Sequence, residues 1–349
     1  MKIVLICPSN ITYMPYINNY INILKESNID YIIINWDRNH IEDINNKFVY
    51  RDKKIGHRRN YFHYFLFKKF IISKLNGLSF DKIIVFGLQL GYFLNKYLIK
   101  FYSNKYILDI RDYNKIIKFT DIKKLINNSN FVAISSSGYK SWLPFSEKYI
   151  INHNTNIRSI NELDSSNNTP FNDAIIKISS IGFIRDYEIS IKLINKIKNC
   201  ENIKLNFYGE GLINNDLINY IKTNDVNNVI ISGIYSIGEE EALYRKSDII
   251  NLLIDNSLNS KTCLANRLYN SVKHGKPLLA FGGTYISQII KSFNLGLVVD
   301  SLDNIETKII NYTNTFNNNL FNEGRIEFIN KVIDDNDNFI QNLKQFISS

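Results

Sequence analysis

Residues able to bind an anion or a flat ring recur behind short apolar runs in the second half of the chain. The run 177–181 ends in Gly182, and Arg185 follows; its forked guanidinium suits bidentate contact with a phosphate, although a solvated loop arginine fits the same residues. The run 204–208 leads into Gly209-Glu210-Gly211, two glycines around a carboxylate, which permits close backbone approach to a flat ligand or makes an ordinary turn. The run 229–232 ends at Gly233-Ile234-Tyr235, where backbone groups or the Tyr235 ring could meet a nucleobase. Farther on, NSKTCLANRLYN (259–270) closes in HGKP, with apolar residues 264, 268 and 272 at helical spacing, Thr262 as a cap and Gly275 as a stop. That pattern predicts a helix N-terminus with Lys261 beside it, a ready place for a diphosphate. A capped packing helix accounts for it equally.

In the first half, Asp109, Arg111 and Asp112 cluster behind the run 106–109. One carboxylate could orient or deprotonate a hydroxyl within hydrogen-bond reach, or Asp109 and Asp112 could pair with Arg111 and cap a helix. His153 closes this half as a ligand contact or a structural histidine. No Ser/His/Asp or Cys/His arrangement stands out. Cys7, Cys200 and Cys263 lack metal-ligand spacing and are odd in number, so neither a disulfide framework nor a metal site is expected. Residues 51–74 carry eight Lys/Arg against Asp52 alone, interleaved with Tyr61, Phe62, Tyr64, Phe65, Phe67 and Phe70. This stretch suits an anionic membrane surface, or a core helix with its lysines in solvent. Nucleic acid would use the same charges, but no binding motif accompanies them, and it is not expected as a partner.

The elements that must position these residues alternate throughout. With 349 residues and 45% hydrophobic content, the chain has the length of two domains, each with a core. The net charge of +9 is lopsided: residues 1–155 hold 23 Lys/Arg against 11 Asp/Glu, pointing to an anionic partner for the first half. No signal segment and no spanning apolar run is visible, so a cytoplasmic protein is expected, peripheral at the inner membrane face where 51–74 docks. Apolar runs at 2–6, 31–35, 82–86, 106–109, 131–135 and 149–152, then at 175–181, 204–208, 229–232, 249–253, 277–281 and 296–299, read as strands. Many are Ile/Val-rich without alternation, as parallel strands buried on both faces are. Helical patterns such as 16–26 and 92–102 lie between them. The fold class is α/β, two Rossmann-like doubly wound parallel-sheet domains facing an interdomain cleft. The domains are placed at 1–158 and 174–324, with a polar linker at 159–173 and a closing helix at 325–349 packing back on them.

Taken in order, IGFIRDYE, LNFYGEG, IISGIY, KTCLANRLYNSVKHGKPLLAFGG and LGLVV resemble the donor domain of GT-B glycosyltransferases of the GT4-like group. ILDIRDY (107–113), FVAISSSGYKSWLP (131–144) and KYIINHN (148–154) look like that group's acceptor domain. The resemblance implies transfer of a sugar from a nucleotide diphosphate sugar, most often UDP-linked, to a saccharide or lipid-linked acceptor of a bacterial surface polysaccharide. Retention of configuration and no metal or other cofactor are implied with it. Carried over by position, Arg185 and Lys261 contact the diphosphate, and the backbone of Thr262, Cys263, Leu264 and Ala265 meets pyrophosphate and donor sugar. Gly209, Glu210, Gly211 and Tyr235 fall at the base, and Asn270 at the ribose. Ser9 and Asn10 replace a glycine pair of the first loop on the acceptor side, where His153 also falls. The chain departs from the group at Thr262 and Asn270, which stand where two glutamates eight apart are usual, and at Tyr187, near the place of a lysine. A non-catalytic relative in a glycan assembly complex, or a nucleotide-sugar epimerase, therefore stays open beside the transferase.

Overall fold

A computed structural model describes residues 1–43, 45, 47–164, 171 and 173–349, without the side chain of Ile237. The chain forms two compact units, Met1–Asn154 with Asp334–Ser349, and Thr155–Ile333.

Among the described residues the first unit holds seven parallel strands: β1 (Lys2–Cys7), β2 (Asp30–Trp36), β3 (Lys47–Tyr50), β4 (Lys82–Phe86), β5 (Tyr106–Ile110), β6 (Val132–Ile134) and β7 (Tyr149–Ile151). Their order is β3-β2-β1-β4-β5-β6-β7, so the winding reverses between β1 and β4. Ile3 to Cys7 and Ile83 to Phe86 have no exposed surface, which is why these strands read as continuous apolar runs. Strand β3 was not legible. Its KFVY is short and half-buried, an edge strand held by pairing Lys47–Tyr50 against Ile33–Trp36.

Helices α1 (Ile17–Glu26), α2 (Tyr61–Asn76), α3 (Leu88–Phe101) and α4 (Ile122–Asn127) connect the strands. The third begins four residues before the start expected at 92 because Gly87, at φ 90°, turns the chain directly out of β4.

The second unit has six parallel strands among its described residues: β8 (Ile176–Ile181), β9 (Ile203–Tyr208), β10 (Val229–Gly233), β11 (Ile249–Leu252), β12 (Leu278–Phe281) and β13 (Gly296–Val299). Their order β10-β9-β8-β11-β12-β13 reverses between β8 and β11. Adjacent strand residues enter different cores: Ile250 and Leu278 pack with Leu268 and Phe328, Ile249 and Leu279 with Leu193 and Ile309. Both faces are thus covered, as a doubly wound sheet requires. The covering helices are α5 (Tyr187–Ile197), α6 (Asn214–Thr223), α7 (Glu240–Arg245), α8 (Leu258–Thr262), α9 (Asn266–Lys273), α10 (Tyr285–Ser292), α11 (Ile305–Asn314) and the first part of α12 (Asn318–Ser348).

The units divide after Asn154, four residues before the boundary read at 158. Of the linker placed at 159–173, Ser165–Pro170 and Asn172 lie outside the described residues. Its first part is ordered: Ile160–Glu162 forms a 3-10 turn, and the Asp164 carboxylate meets His274 Nδ1 at 3.1 Å.

The closing helix starts at Asn318, earlier than 325, and its residues from Asp334 on belong to the first unit. There Phe339, Leu343, Phe346 and Ile347 join the core under β1 and β4, with Phe339 edge-on to Tyr20 at 5.0 Å. Phe339→Ala removes this wedge and is expected to cost about 3–5 kcal/mol. Denaturant unfolding followed by tryptophan fluorescence measures it, since Trp36 and Trp142 both lie in the first unit.

Candidate functional site

In an open parallel sheet the crevice for a ligand lies at the carboxyl ends of the strands, where the winding reverses. In the second unit a cavity of about 430 Å3 occupies that place, between the end of β8 and the end of β11. Arg185 and Asp186 line it from the loop after β8, Asn251 from β11, and Ala265, Arg267 and Asn270 from the start of α9. Glu240, the first residue of α7, closes one side.

Two guanidiniums therefore face one cavity. The Arg267 group donates to Phe183 O at 2.8 Å and Asn251 O at 3.4 Å, tying the two strand ends together. Burial pulls its pKa below the ordinary guanidinium value, and the nearby Arg185 charge adds to this. Arg185 is exposed and meets a carboxylate only loosely, Asp186 at 3.7 Å. Burial raises the pKa of Asp186, and Asp255 raises it further, while both arginines oppose this. Asp186 sits at φ 67°, a left-handed conformation that aspartate tolerates better than most residues. Among the described residues Arg267 forms no ion pair within 4 Å, so the cavity wall carries cationic capacity that the protein itself does not neutralise.

The helix that ends in this wall is not the one expected. Thr262 is the last residue of the short α8, and its hydroxyl donates back to Leu258 O at 2.8 Å instead of capping a start. Ser257 caps α8 by accepting from Ser260 N, and the chain then extends through Cys263. The new helix begins after Ala265, where no side chain caps it. Its far end is held by Arg325, buried, which donates to Val272 O at 2.7 Å and Lys273 O at 3.0 Å. Lys261, Thr262, Cys263 and Leu264 lie outside the cavity wall, and Ala265 is in it.

Gly209 and Gly211 are explained by their neighbours. A Cβ at Gly209 would collide with the Gly182 carbonyl, and one at Gly211 with the Ile184 carbonyl. Ile184 N donates to Glu210 O at 3.0 Å. The close approach these glycines permit is thus to the adjoining loop, and neither they nor Glu210 line the cavity. Tyr235 stands at its margin, its hydroxyl 4.0 Å from where a Cβ on Gly182 would be. Proximity to Glu240 adds to burial in pushing the Tyr235 pKa up to about 12.

Asn270 is in the wall, and Glu240 Oε1 accepts from its Nδ2 at 2.9 Å. A carboxylate therefore does reach this spot, from α7 and not from position 270. Sequence reading missed Glu240 and Arg267. The available signal for Arg267 was its spacing of three from Asn270, one helix face opposite the apolar Leu268 and Val272.

In the first unit Asp109, Arg111, His153 and Asn10 are each held in hydrogen-bond networks. Asp109 has no exposed surface; Arg111 grips it with two bonds of 2.6 and 2.7 Å, and Tyr20 donates to it at 2.6 Å. Arg111 also donates to Asn152 O at 2.8 Å and lies over the Tyr16 ring. Burial alone would lower the Arg111 pKa, but the Asp109 charge outweighs it and raises it. Asp109 and Arg111 thus form a buried ion pair, the alternative to an open acid–base site, and Asp109 has no exposed surface for a substrate hydroxyl to reach. Asp112 is exposed, and the cap of the following 3-10 turn is Asn114. His153 is likewise bound within its own unit, by Asp335 at Nε2 (3.1 Å) and by Asn336 at its backbone N–H (2.9 Å). This fits the structural reading of His153 that stood beside the ligand role.

Ser9 is half-buried, and Asn10 is a fully buried joint. It donates to Asp37 Oδ1 at 2.6 Å and accepts from the N–H groups of Arg38 and Asn39. Asp37 also accepts from Arg51 Nε at 2.7 Å and from two backbone N–H groups. Of the basic stretch, α2 buries Tyr64, Phe67, Ile71 and Leu75, while Tyr61, Phe62, Phe65, Lys53, Lys54 and Ile55 are exposed. The core-helix reading therefore fits one face of α2 and leaves its first turn open.

No family model matches the sequence, and no curated protein does. Solved structures do. The lipopolysaccharide outer core galactosyltransferase WaaB in its apo form is 15% identical, over 99% of both chains, with a TM-score of 0.68. HepE of Anabaena in complex with UDP is 12% identical, over 99% of this chain and 100% of that one, at 0.67. Sucrose-phosphate synthase of Thermosynechococcus elongatus is 10% identical, over 100% and 99%, at 0.72. The chain has the GT-B fold of these glycosyltransferases.

Burial on its own would raise the pKa of Asp37, but bonds from Arg51, Asn10 and the backbone bring it down to about 2. A depressed carboxylate stabilises the fold fully above about pH 4 and loses that contribution as pH falls toward 2. Asp37→Asn is expected to cost about 2 kcal/mol at pH 7 and to flatten the acid limb of the stability curve, as denaturant titrations between pH 2 and 7 would record.

Proposed function

We propose that the protein is a glycosyltransferase that moves a sugar, with retention and without a metal, from a nucleotide diphosphate sugar to a saccharide or lipid-linked acceptor. The single observation that carries the donor half is the cavity at the β8/β11 reversal, where Arg185, Arg267 and the uncapped start of α9 converge. When the bond from the anomeric carbon to the β-phosphate breaks, negative charge grows on the leaving diphosphate. Arg267, tied down by backbone carbonyls, and the helix N–H groups stabilise that charge with little reorganisation, and the exposed Arg185 adds to them.

Glu240, already bonded to Asn270, supplies a carboxylate able to accept from a sugar hydroxyl, which removes one motive for reading the chain as non-catalytic. UDP is the favoured nucleotide because HepE, of like fold, is described with UDP. A role in surface polysaccharide synthesis rests on the sequence resemblance and on WaaB, described as acting on the lipopolysaccharide outer core.

Thermal shift with UDP, GDP, ADP, CMP and their sugars tests the donor. A nucleotide at about 100 times its Kd stabilises by ~2.7 kcal/mol, with or without EDTA. Arg185→Gln removes an exposed charge from the wall and is expected to weaken binding about tenfold, the worth of one charge-assisted bond. A shift without turnover on any acceptor would favour the scaffold reading; conversion of the donor sugar without acceptor would favour the epimerase.

Among the described residues no helix is long and apolar enough to cross a membrane. We place the protein peripherally on the cytoplasmic membrane face, supported by the exposed Phe62 and Phe65 beside Lys53 and Lys54. Flotation is expected with anionic but not neutral vesicles. Each of Lys53→Gln and Lys54→Gln would weaken it by roughly 1 kcal/mol, and Phe62→Ser with Phe65→Ser would abolish it at high salt.

A further inference from the structure

A second cavity, of about 390 Å3, lies in the first unit. Three strand-end loops and a helix start build it: Arg38 after β2, residues 57–60 between β3 and α2, Asn114 after β5, and Gln89 in the first turn of α3. Its wall includes Asn60 and Tyr61, the cap and first residue of α2, and Gln89, the second residue of α3.

Its distinctive member is Arg38, a residue only 8% exposed. Nη2 donates to Tyr64 Oη at 2.9 Å and Nη1 to His57 O at 3.1 Å, while the group lies 4.7 Å over the Trp36 ring. Its buried Nε has no hydrogen-bond partner, and among the described residues no carboxylate lies within 4 Å of it. The neighbouring Arg59 differs: Asp52 takes it in two bonds of 2.8 Å. Arg58, also in the wall, is exposed and has no ion pair among the described residues. A buried guanidinium without a counter-charge is costly to hold, and an anion entering beside it recovers that cost.

The rest of the wall is aromatic. Tyr64 and Phe93 stack at 5.4 Å and 9°, and Tyr61 stands 4.7 Å from Phe93. Ring faces of this kind pack against the C–H face of a sugar, and Asn60, Gln89 and Asn114 offer amides to its hydroxyls.

We infer that this cavity binds a phosphorylated saccharide, its phosphate on Arg38 and Arg58 and its ring on Tyr61 and Phe93. The ligand would be the acceptor if the transferase reading above holds. The phosphate could belong to a free sugar phosphate or to the linkage of a lipid-borne glycan.

Fluorescence titration of the full chain tests this, because Trp36 lies directly under Arg38. The probes are glucose, glucose 6-phosphate, inorganic phosphate, and a glucosyl diphosphate carrying a short isoprenyl chain. Glucose 6-phosphate or the isoprenyl conjugate is expected to bind about tenfold or more tighter than glucose, and whichever is tighter identifies the source of the phosphate. Arg38→Met should erase that preference while leaving the UDP shift intact. Should Arg38→Met fail to fold, Arg58→Gln decides, with an expected loss of about threefold or more for the phosphorylated probe alone. Equal binding of glucose and both phosphorylated probes, or no binding of any probe to a protein that still binds UDP, would overturn the inference. Phosphate-dependent binding without a UDP shift would uphold this site and count against the donor reading instead.

Discussion

Everything here depends on the strands being parallel. A parallel strand cannot return through a tight turn, so each is followed by a crossover that carries the chain back along the sheet. As a result, strand carboxyl ends and the amino ends of the helices that follow them collect along one edge of each sheet. Hydrogen-bonding groups with nothing to bond, and the positive ends of helices, accumulate there by topology alone. The side chains at these edges then decide whether an edge is closed off or left receptive.

Arginine does both in this chain. At Asp109 and Asp52 the guanidinium meets a carboxylate through two bonds, and the local charge is spent on holding loops together. Arg325 spends its donors on helix carbonyls. Arg38 and Arg267 are also held, by aromatic rings or by backbone carbonyls, but without a counter-charge among the described residues. The same residue type in similar burial therefore serves as a brace or as a receptor, and the difference is whether an acid lies within reach.

That difference explains what the sequence could disclose. The two doubly wound sheets were legible because buried parallel strands leave unbroken Ile/Val runs, and only the half-buried edge strand at Lys47–Tyr50 escaped. Arg185 was singled out because it follows a strand end, and Ala265 and Asn270 through the family resemblance; all three line the cavity of the second unit. Asp109, His153 and Asn10 looked chemical but are bound by partners as far as 183 residues away in sequence, Asp335 and Asn336 among them, which no local pattern encodes. Gly209 and Gly211 were read as allowing close approach to a flat ligand or making a turn; in the structure what approaches them is another loop. Glu240 was invisible for the converse reason: an acidic residue in an acidic helix start becomes part of the site only through its bond to Asn270.

The discontinuity of the first unit has a consequence during synthesis. Its sheet is made by residue 154, yet Phe339, Leu343 and Phe346 arrive only with Asp334–Ser349. A ribosome adding 5–20 residues per second needs roughly 10–40 s to make the intervening stretch. Throughout that interval the face formed by Ile3, Leu5 and Ile84 lacks part of its cover, and Lys82 lacks the Phe346 carbonyl that receives it. The second unit, made later, is complete by Ile333 and can close first. Of the two units, the one made first is thus completed second, and its uncovered face is the one a chaperone would have longer to hold.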